Sequence, residues 1–362
     1  MPVGTRWIEA ARRLLWRLRE NKKQLIIDAL LWAALIVFLI INAVGVNALT
    51  KYSSISLRYE KAFSGQAAYQ ARQYSIEQSD KDTFWLTYWH EAQVRFEGDF
   101  NGADATCIMF SGDASLVWPA RYLTGTAPGV TDGAGCSVSS ALAWTLWGGN
   151  DVVGKTINVD DEARIVRGVF ECGDSLALVS VRDEDISQSF TAVELSGGPS
   201  APDRSEVLSF ARAAGLGSPN SILMGTPASL ASALMALPLI ILAFYGLALC
   251  IARLRVRPVV FAGILLSVLI GFAFLLPWLL DLLPGWMIPT RWSDFSFWGG
   301  LVKQVGEDLR EYLVLTPRSR DVEYKLLLIK QAGISFVAAS LALSVCFRWH
   351  WNRSRRASAQ SA

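Results

Sequence analysis

Residues Gly149 to Thr156 read GNDVVGKT and match the phosphate-binding pattern G-x-x-x-x-G-K-T at Gly149, Gly154, Lys155 and Thr156. That pattern holds a nucleotide when a buried strand precedes it and a helix follows, because N–H groups at the helix start then point at phosphate. Here the order is inverted. Val138, Ala141, Leu142 and Leu146 recur at helical spacing ahead of the glycines, with Trp144 and Trp147 beside them. Gly148-Gly149-Asn150-Asp151 ends that helix. Thr156-Ile157-Asn158-Val159 then alternates at the strand period, Asp160-Asp161-Glu162 forms a polar tip, and Ile165 to Phe170 return as a second strand. The four residues are therefore read as a false P-loop, and no cofactor is expected.

The other residue types that could do chemistry are scattered. His90 and His350 are the two histidines, far apart in sequence, so neither a histidine metal site nor a triad is supported. The five cysteines include no C-x2-C pair. Asp183, Glu184 and Asp185 read as a solvated turn rather than an acid/base pair. No G-x-S-x-G, H-E-x-x-H or EF-hand loop occurs, so no catalytic residue is assigned and the chain is not expected to be an enzyme. Trp85, Trp89, Trp118, Trp144 and Trp147 lack clustered Lys or Arg between them and are expected to pack in a core rather than stack on sugars or bases. A net charge of +2 gives no electrostatic case for nucleic acid.

The elements that carry these residues belong to a membrane protein. Hydrophobic residues make up 52% and charged residues 18% of the chain. Four transmembrane α-helices are expected, at 25–49, 230–251, 259–280 and 326–347, from apolar runs of bilayer length, with Lys330 near the outer end of the fourth, where it can snorkel. Residues 1–24 form a basic amphipathic helix, either a cytosolic flank or a helix lying in the membrane interface. Asp28 is expected to be interfacial, near Lys22 and Lys23. Pro238 lies inside the second span, where neighbouring helices can satisfy the freed carbonyl. In the fourth, Gly333, Ala338, Ala339, Ser340 and Ala342 would let another helix approach closely.

Between the first two spans lies 50–225, expected to be an α+β extracytoplasmic domain. Its expected elements are a helix over Ser56–Ser75, strands at Trp85–Trp89, Ala92–Phe96, Ala105–Phe110 and Ser175–Val181, and a helix over Ser205–Ala214. The connection 281–324 carries an apolar stripe of Trp298, Leu301, Val302, Val305, Leu309, Tyr312 and Leu313. It is read as an amphipathic helix on the membrane surface or beneath the outer domain, with packing on its own bundle as the alternative. The basic segments 1–24, 252–258 and 348–362 all fall on the cytosolic side if there are four spans, which places both termini there and the large domain outside, in the cell membrane. Lys155 would then face a compartment without cytosolic ATP. Outside placement also permits a disulfide, expected as Cys136–Cys172, with Cys107 the competitor for either.

The segments ALAWTLWG, DVVGKTINVDD and RIVRGVF resemble, in that order, the periplasmic core domain of MacB/FtsX-type ABC transporter permeases, whose pattern is roughly "s..lA..lfG..d.vGk.i...g..y.VvGV". Arg121 to Thr126 stands where the family has its "l..Gr.f" turn. By motif the resemblance covers about 105–172, and by layout it covers the whole chain. It implies two paired permease chains, alike or different, and a separate cytosolic ABC ATPase subunit that moves the outer domains for export or for mechanical action on outer partners. The family usually has a long charged cytosolic segment between spans two and three. Here only 252–258 fills that place, too short for a coupling helix of several turns. The alternatives are a membrane-anchored binding or sensory protein without ATPase coupling, and an enzyme with an outer site of unrecognised type.

Overall fold

The computed structural model describes residues 3–52, 54–78, 83–99, 101–182, 185, 187–198, 202–253, 263, 266, 270, 271, 273, 291 and 295–360. The chain divides into two compact units. One comprises 1–48, 230–284 and 327–362, and the other 49–229 and 285–326.

The larger unit is built on a ten-stranded mixed sheet. In chain order its strands are β1 (Ile55–Ser64), β2 (Phe84–Glu97), β3 (Gly102–Ser111), β4 (Tyr122–Gly125), β5 (Gly135–Ser139), β6 (Thr156–Val159), β7 (Glu162–Phe170), β8 (Leu176–Ser180), β9 (Ser189–Gly197) and β10 (Ser221–Leu223). They lie side by side as β10-β1-β9-β2-β3-β8-β5-β7-β4, with β6 pairing β2 and β7. β8 runs parallel to β3 and is buried along its whole length, which is why it reads as an unbroken apolar run. The β6–β7 hairpin turns on Asp160 and Asp161, both at positive φ, as a two-residue primed turn requires.

Helices cover the sheet in two places. α2 (Gly65–Glu77) and α5 (Arg204–Ala213) sit over a core of Leu57, Tyr59, Leu86, Tyr88, Val193 and Leu195. Ser64 caps α2, and Asp203 with Glu206 forms a reciprocal capping box on α5. α4 (Ser140–Trp147) lays Leu142, Ala143 and Leu146 over Cys107, Cys136, Val166 and Val179. It ends on Gly148 at φ 73°, the left-handed cap for which glycine costs least. A short turn, α3 (Ala114–Val117), completes the unit's smaller helices.

Three expectations within this unit are corrected. Ser56–Ser75 is not one helix but β1 followed by α2, the break coming at the Ser64 cap. Val138 belongs to β5, so the helix before the glycines begins only at Ser140. The two strand candidates at Trp85–Trp89 and Ala92–Phe96 are one strand, β2.

The other unit holds most of three long helices that also contribute residues to the larger one: α1 (Val3–Thr50), α6 (Thr226–Arg253) and α8 (Ser319–Gln360). Within each lies a stretch long and apolar enough to cross a membrane: Lys23–Thr50, Thr226–Leu249 and Ser319–Trp351. These three are the candidate spans among the described residues. The expected span 259–280 lies outside the described residues, save 263, 266, 270, 271 and 273, which are helical. Inside this unit, Asn42 of α1 is fully buried and accepts hydrogen bonds from Gln331 and Ser335 of α8. The approach depends on Gly45, where a Cβ would collide with the Gln331 side chain. Leu35 packs with Ala342 and Val345 nearby, as close membrane helix pairs require. Of the five small residues named above in α8, Ala338, Ala339 and Ala342 are buried, while Gly333 and Ser340 are exposed. Asp28 is paired, its carboxylate accepting from Arg348 at 2.9 Å.

Candidate functional site

The residues singled out for chemistry do not converge. After Gly148 the chain turns through Gly149 and Gly154 into strand β6, and no helix follows Lys155. The Gly154 N–H donates to Val166 O, and the Val166 N–H donates to Lys155 O, so the loop's backbone is spent on the sheet. Lys155 Nζ lies 3.5 Å from Asp99 and over the Trp147 ring. His90 is half-buried with Nδ1 3.2 Å from Thr191 Oγ1. Burial, and then the Arg318 charge, hold its pKa below the ordinary value against the opposing pull of Glu91. No group of three metal-ligating side chains occurs among the described residues. Asp183 and Glu184 lie outside them.

The cysteine pair is a correction. Cys107, Cys136 and Cys172 are all free thiols. The backbone of Cys172 bonds to the Ser140 hydroxyl, four residues along from Cys136. At about 3.3 Å per residue that separation is roughly 13 Å, well beyond the ~7 Å that a disulfide tolerates between Cα atoms. Burial pushes Cys107 and Cys136 up to about 12, which keeps both protonated and inert. The tryptophans divide. Trp89 and Trp118 are in the core, but Trp85 and Trp144 are exposed on different elements, one on β2 and one on α4.

What the fold does bring together was not flagged by sequence pattern. Ser56 and Arg58 on β1, Thr87 and Trp89 on β2 and Glu194 on β9 share one face of the sheet, opposite the apolar face formed by Leu57, Tyr88 and Val193. The register sets Ser56 and Thr87 on either side of Glu194, and Arg58 and Trp89 on either side of Ala192. Over this face lies the segment Arg318–Tyr324, which opens α8.

The result is a buried clasp of charges. Glu194 is completely inaccessible to solvent. One of its oxygens accepts from Ser56 Oγ (2.6 Å), Trp89 Nε1 (3.0 Å) and Arg320 Nη1 (2.9 Å), and the other from Ser54 Oγ (2.8 Å). Arg320 Nη2 also donates to Ser54 Oγ. Arg58 Nη2 donates to Asp321 Oδ1 at 2.8 Å, while its guanidinium lies 4.5 Å from the centre of the Trp89 ring. Arg318 covers the same ring at 4.9 Å. Burial, and then the neighbouring Arg58 charge, bring the Arg318 pKa down to about 10. Ser319 donates from its N–H and hydroxyl to Glu91. Asp321 stands in the first turn of α8, where its charge also suits the helix dipole.

The ion pairs of the clasp are thus Arg58–Asp321 and Arg320–Glu194, while the Arg318 side chain donates to Thr191 O and Glu91 accepts from Ser319. Charges buried this deeply gain little net stability over apolar residues, but removing one partner strands the other at a cost of about 3–5 kcal/mol. The clasp joins the opening turn of α8 to β1 and β9.

A second contact secures the same arm. α7 (Phe295–Val314) presents Asp308 and Glu311 to Arg204 at the start of α5. Glu311 accepts from the Ile222 N–H of β10, and Asp308 from Thr226 Oγ1 at 2.5 Å. Tyr324 stacks on Tyr52 at 5.0 Å and meets Tyr312 edge-on at 5.4 Å.

Among solved structures, the chain is similar to the extracellular domain of the noncanonical ABC-type transporter YknZ from Gram-positive bacteria. The TM-score is 0.34 and identity 13%, over 43% of this chain and 87% of that one. It is also similar to the periplasmic region of MacB from Actinobacillus actinomycetemcomitans, with TM-score 0.39 and identity 8%, over 48% of this chain and 89% of that one. No family model matches the chain, and no curated protein matches it.

Proposed function

We propose that this chain is the permease subunit of a MacB/FtsX-type ABC transporter. A separate cytosolic ATPase moves its outer domain, and a second permease chain completes the assembly. The ordered motifs between Arg121 and Phe170 support this, as does the layout of a large sheet domain between membrane spans. The basic segments 1–24, 252–258 and 348–362 support cytosolic termini and an outward-facing domain.

The observation that carries the mechanical part is the buried clasp. α8 gives its first residues, through Leu326, to the sheet unit and the rest to the other unit. Its opening turn is bonded to β1 and β9 by Arg58–Asp321 and Arg320–Glu194. A shift of α8 driven from the cytosolic side is then passed to the sheet rather than absorbed by a slack loop. Packed interfaces of this kind switch between discrete states rather than deform continuously. The ATPase would be met by the 1–24 helix or the short basic turn 252–258.

Purification from native membranes in mild detergent tests the proposal. An ABC ATPase should accompany the chain, and native mass spectrometry should show two permease chains per particle. A preparation that holds its fold but brings no ATPase contradicts it and favours the anchored binding or sensory protein, which the shortness of 252–258 also fits.

A further inference from the structure

α7 carries more apolar surface than its own unit covers. At 100° per residue, Trp298, Val302, Leu309 and Leu313 fall within an arc of about 60°. All four are exposed, Val302 and Leu313 to 73% and 74%. The inner edge of the helix is occupied separately, by Asp308 and Tyr312. A soluble helix of this kind would leave its stripe in water, and stripes of this size mark a binding surface.

The contacts of α7 show where that stripe lies. Asp308, at mid-helix, is hydrogen-bonded to Thr226, the first residue of the candidate span Thr226–Leu249. Val314, its last residue, is followed after 315–318 by the candidate span Ser319–Trp351. Tyr312 meets Tyr324, which stacks on Tyr52, just past the end of Lys23–Thr50. Within this unit, the end residues of three candidate spans therefore lie beside this helix. Its exposed stripe carries a tryptophan, the residue favoured at headgroup level. The flank next to the stripe holds Lys303 and Arg310, cations that suit anionic headgroups.

We infer that α7 is an interfacial helix whose Trp298–Leu313 stripe is sunk into the outer headgroup layer of the lipid bilayer. The inference rests on the membrane orientation proposed above and not on ATPase coupling.

The test places p-benzoylphenylalanine singly at Val302, Leu309 or Leu313 of the full chain, with Gln304 and Glu307 on the polar face as controls. The protein is reconstituted in nanodiscs of phosphatidylethanolamine and phosphatidylglycerol and irradiated. Intact mass should show a one-phospholipid adduct about tenfold more often at the stripe than at the controls, as expected for an apolar face buried in the headgroup boundary. Equal adduct at both faces overturns the inference. So does a cross-link from the stripe to a second copy or to another protein. A diazirine-bearing phospholipid used on the unsubstituted protein gives a second reading: adducts should map to residues 295–314, and their absence there counts against lipid contact.

Discussion

The two units are held by different chemistry. In the sheet unit, the opening turn of α8 is fastened by full charges, Arg58 with Asp321 and Arg320 with Glu194. In the other unit, the same helix is fastened to α1 by neutral groups, Asn42 with Gln331 and Ser335, and by small residues such as Ala338 and Ala342. The charged pair in that unit, Asp28–Arg348, is partly exposed, unlike the buried Asn42 contact. Neutral contacts between membrane helices are worth about 0.6–2 kcal/mol, whereas stranding a buried charge costs about 3–5 kcal/mol.

The sharpest break should come at the clasp. Arg58→Leu or Asp321→Leu alone should each lower unfolding stability by about 3–5 kcal/mol, while the double variant should recover most of that loss, because no charge is then stranded. Chemical denaturation of the full chain in detergent, carried through the double-mutant cycle, checks it. Additive losses would show that the pair is not coupled.

Next in size is the neutral contact. Asn42→Leu should cost about 0.6–2 kcal/mol in the same assay, several-fold less than either single clasp variant. A loss as large as theirs would erase the contrast between the units. The core thiols sharpen it further. With pKa values of about 12, Cys107 and Cys136 should resist maleimide at neutral pH until the sheet unit unfolds, while half-buried Cys172 reacts first. Early labelling of Cys136 would show a looser core than the fold implies.

The smallest effect is a pH dependence. The His90 pKa is depressed in the fold, so between that value and the unfolded 6.5 the unfolded chain binds more protons. The stability this depression supports is present above pH 6.5 and is lost as pH falls through the window below it. Melting curves of the native chain and of His90→Asn should diverge only on that acid side.

Much of the scaffold was legible in the sequence. β8, β3 and the β6–β7 hairpin follow from apolar runs and alternation, and the three candidate spans among the described residues from apolar length. β1 was not, because its pairing with β9 shifts between Arg58 and Phe63 and breaks the period of two. Tyr59, Phe63 and Ala67 then mimic a helical stripe. β9 was hidden by Glu194, which interrupts TAVELS with a charge that turns out to be fully buried. The clasp itself joins residues 126 and 263 positions apart, a proximity that local pattern does not encode. One local signal was present. Glu194 is the lone charge within the β9 segment SFTAVELSG, and such a charge needs a buried partner.

The central claim is that the opening turn of α8 and the sheet behave as one body. Hydrogen exchange of the full chain in nanodiscs measures this directly. Amides of 320–324 should exchange as slowly as those of 192–195 in β9, and Arg58→Leu should release 320–324. Fast, loop-like exchange of 320–324 in the native chain, with β9 still protected, would contradict it.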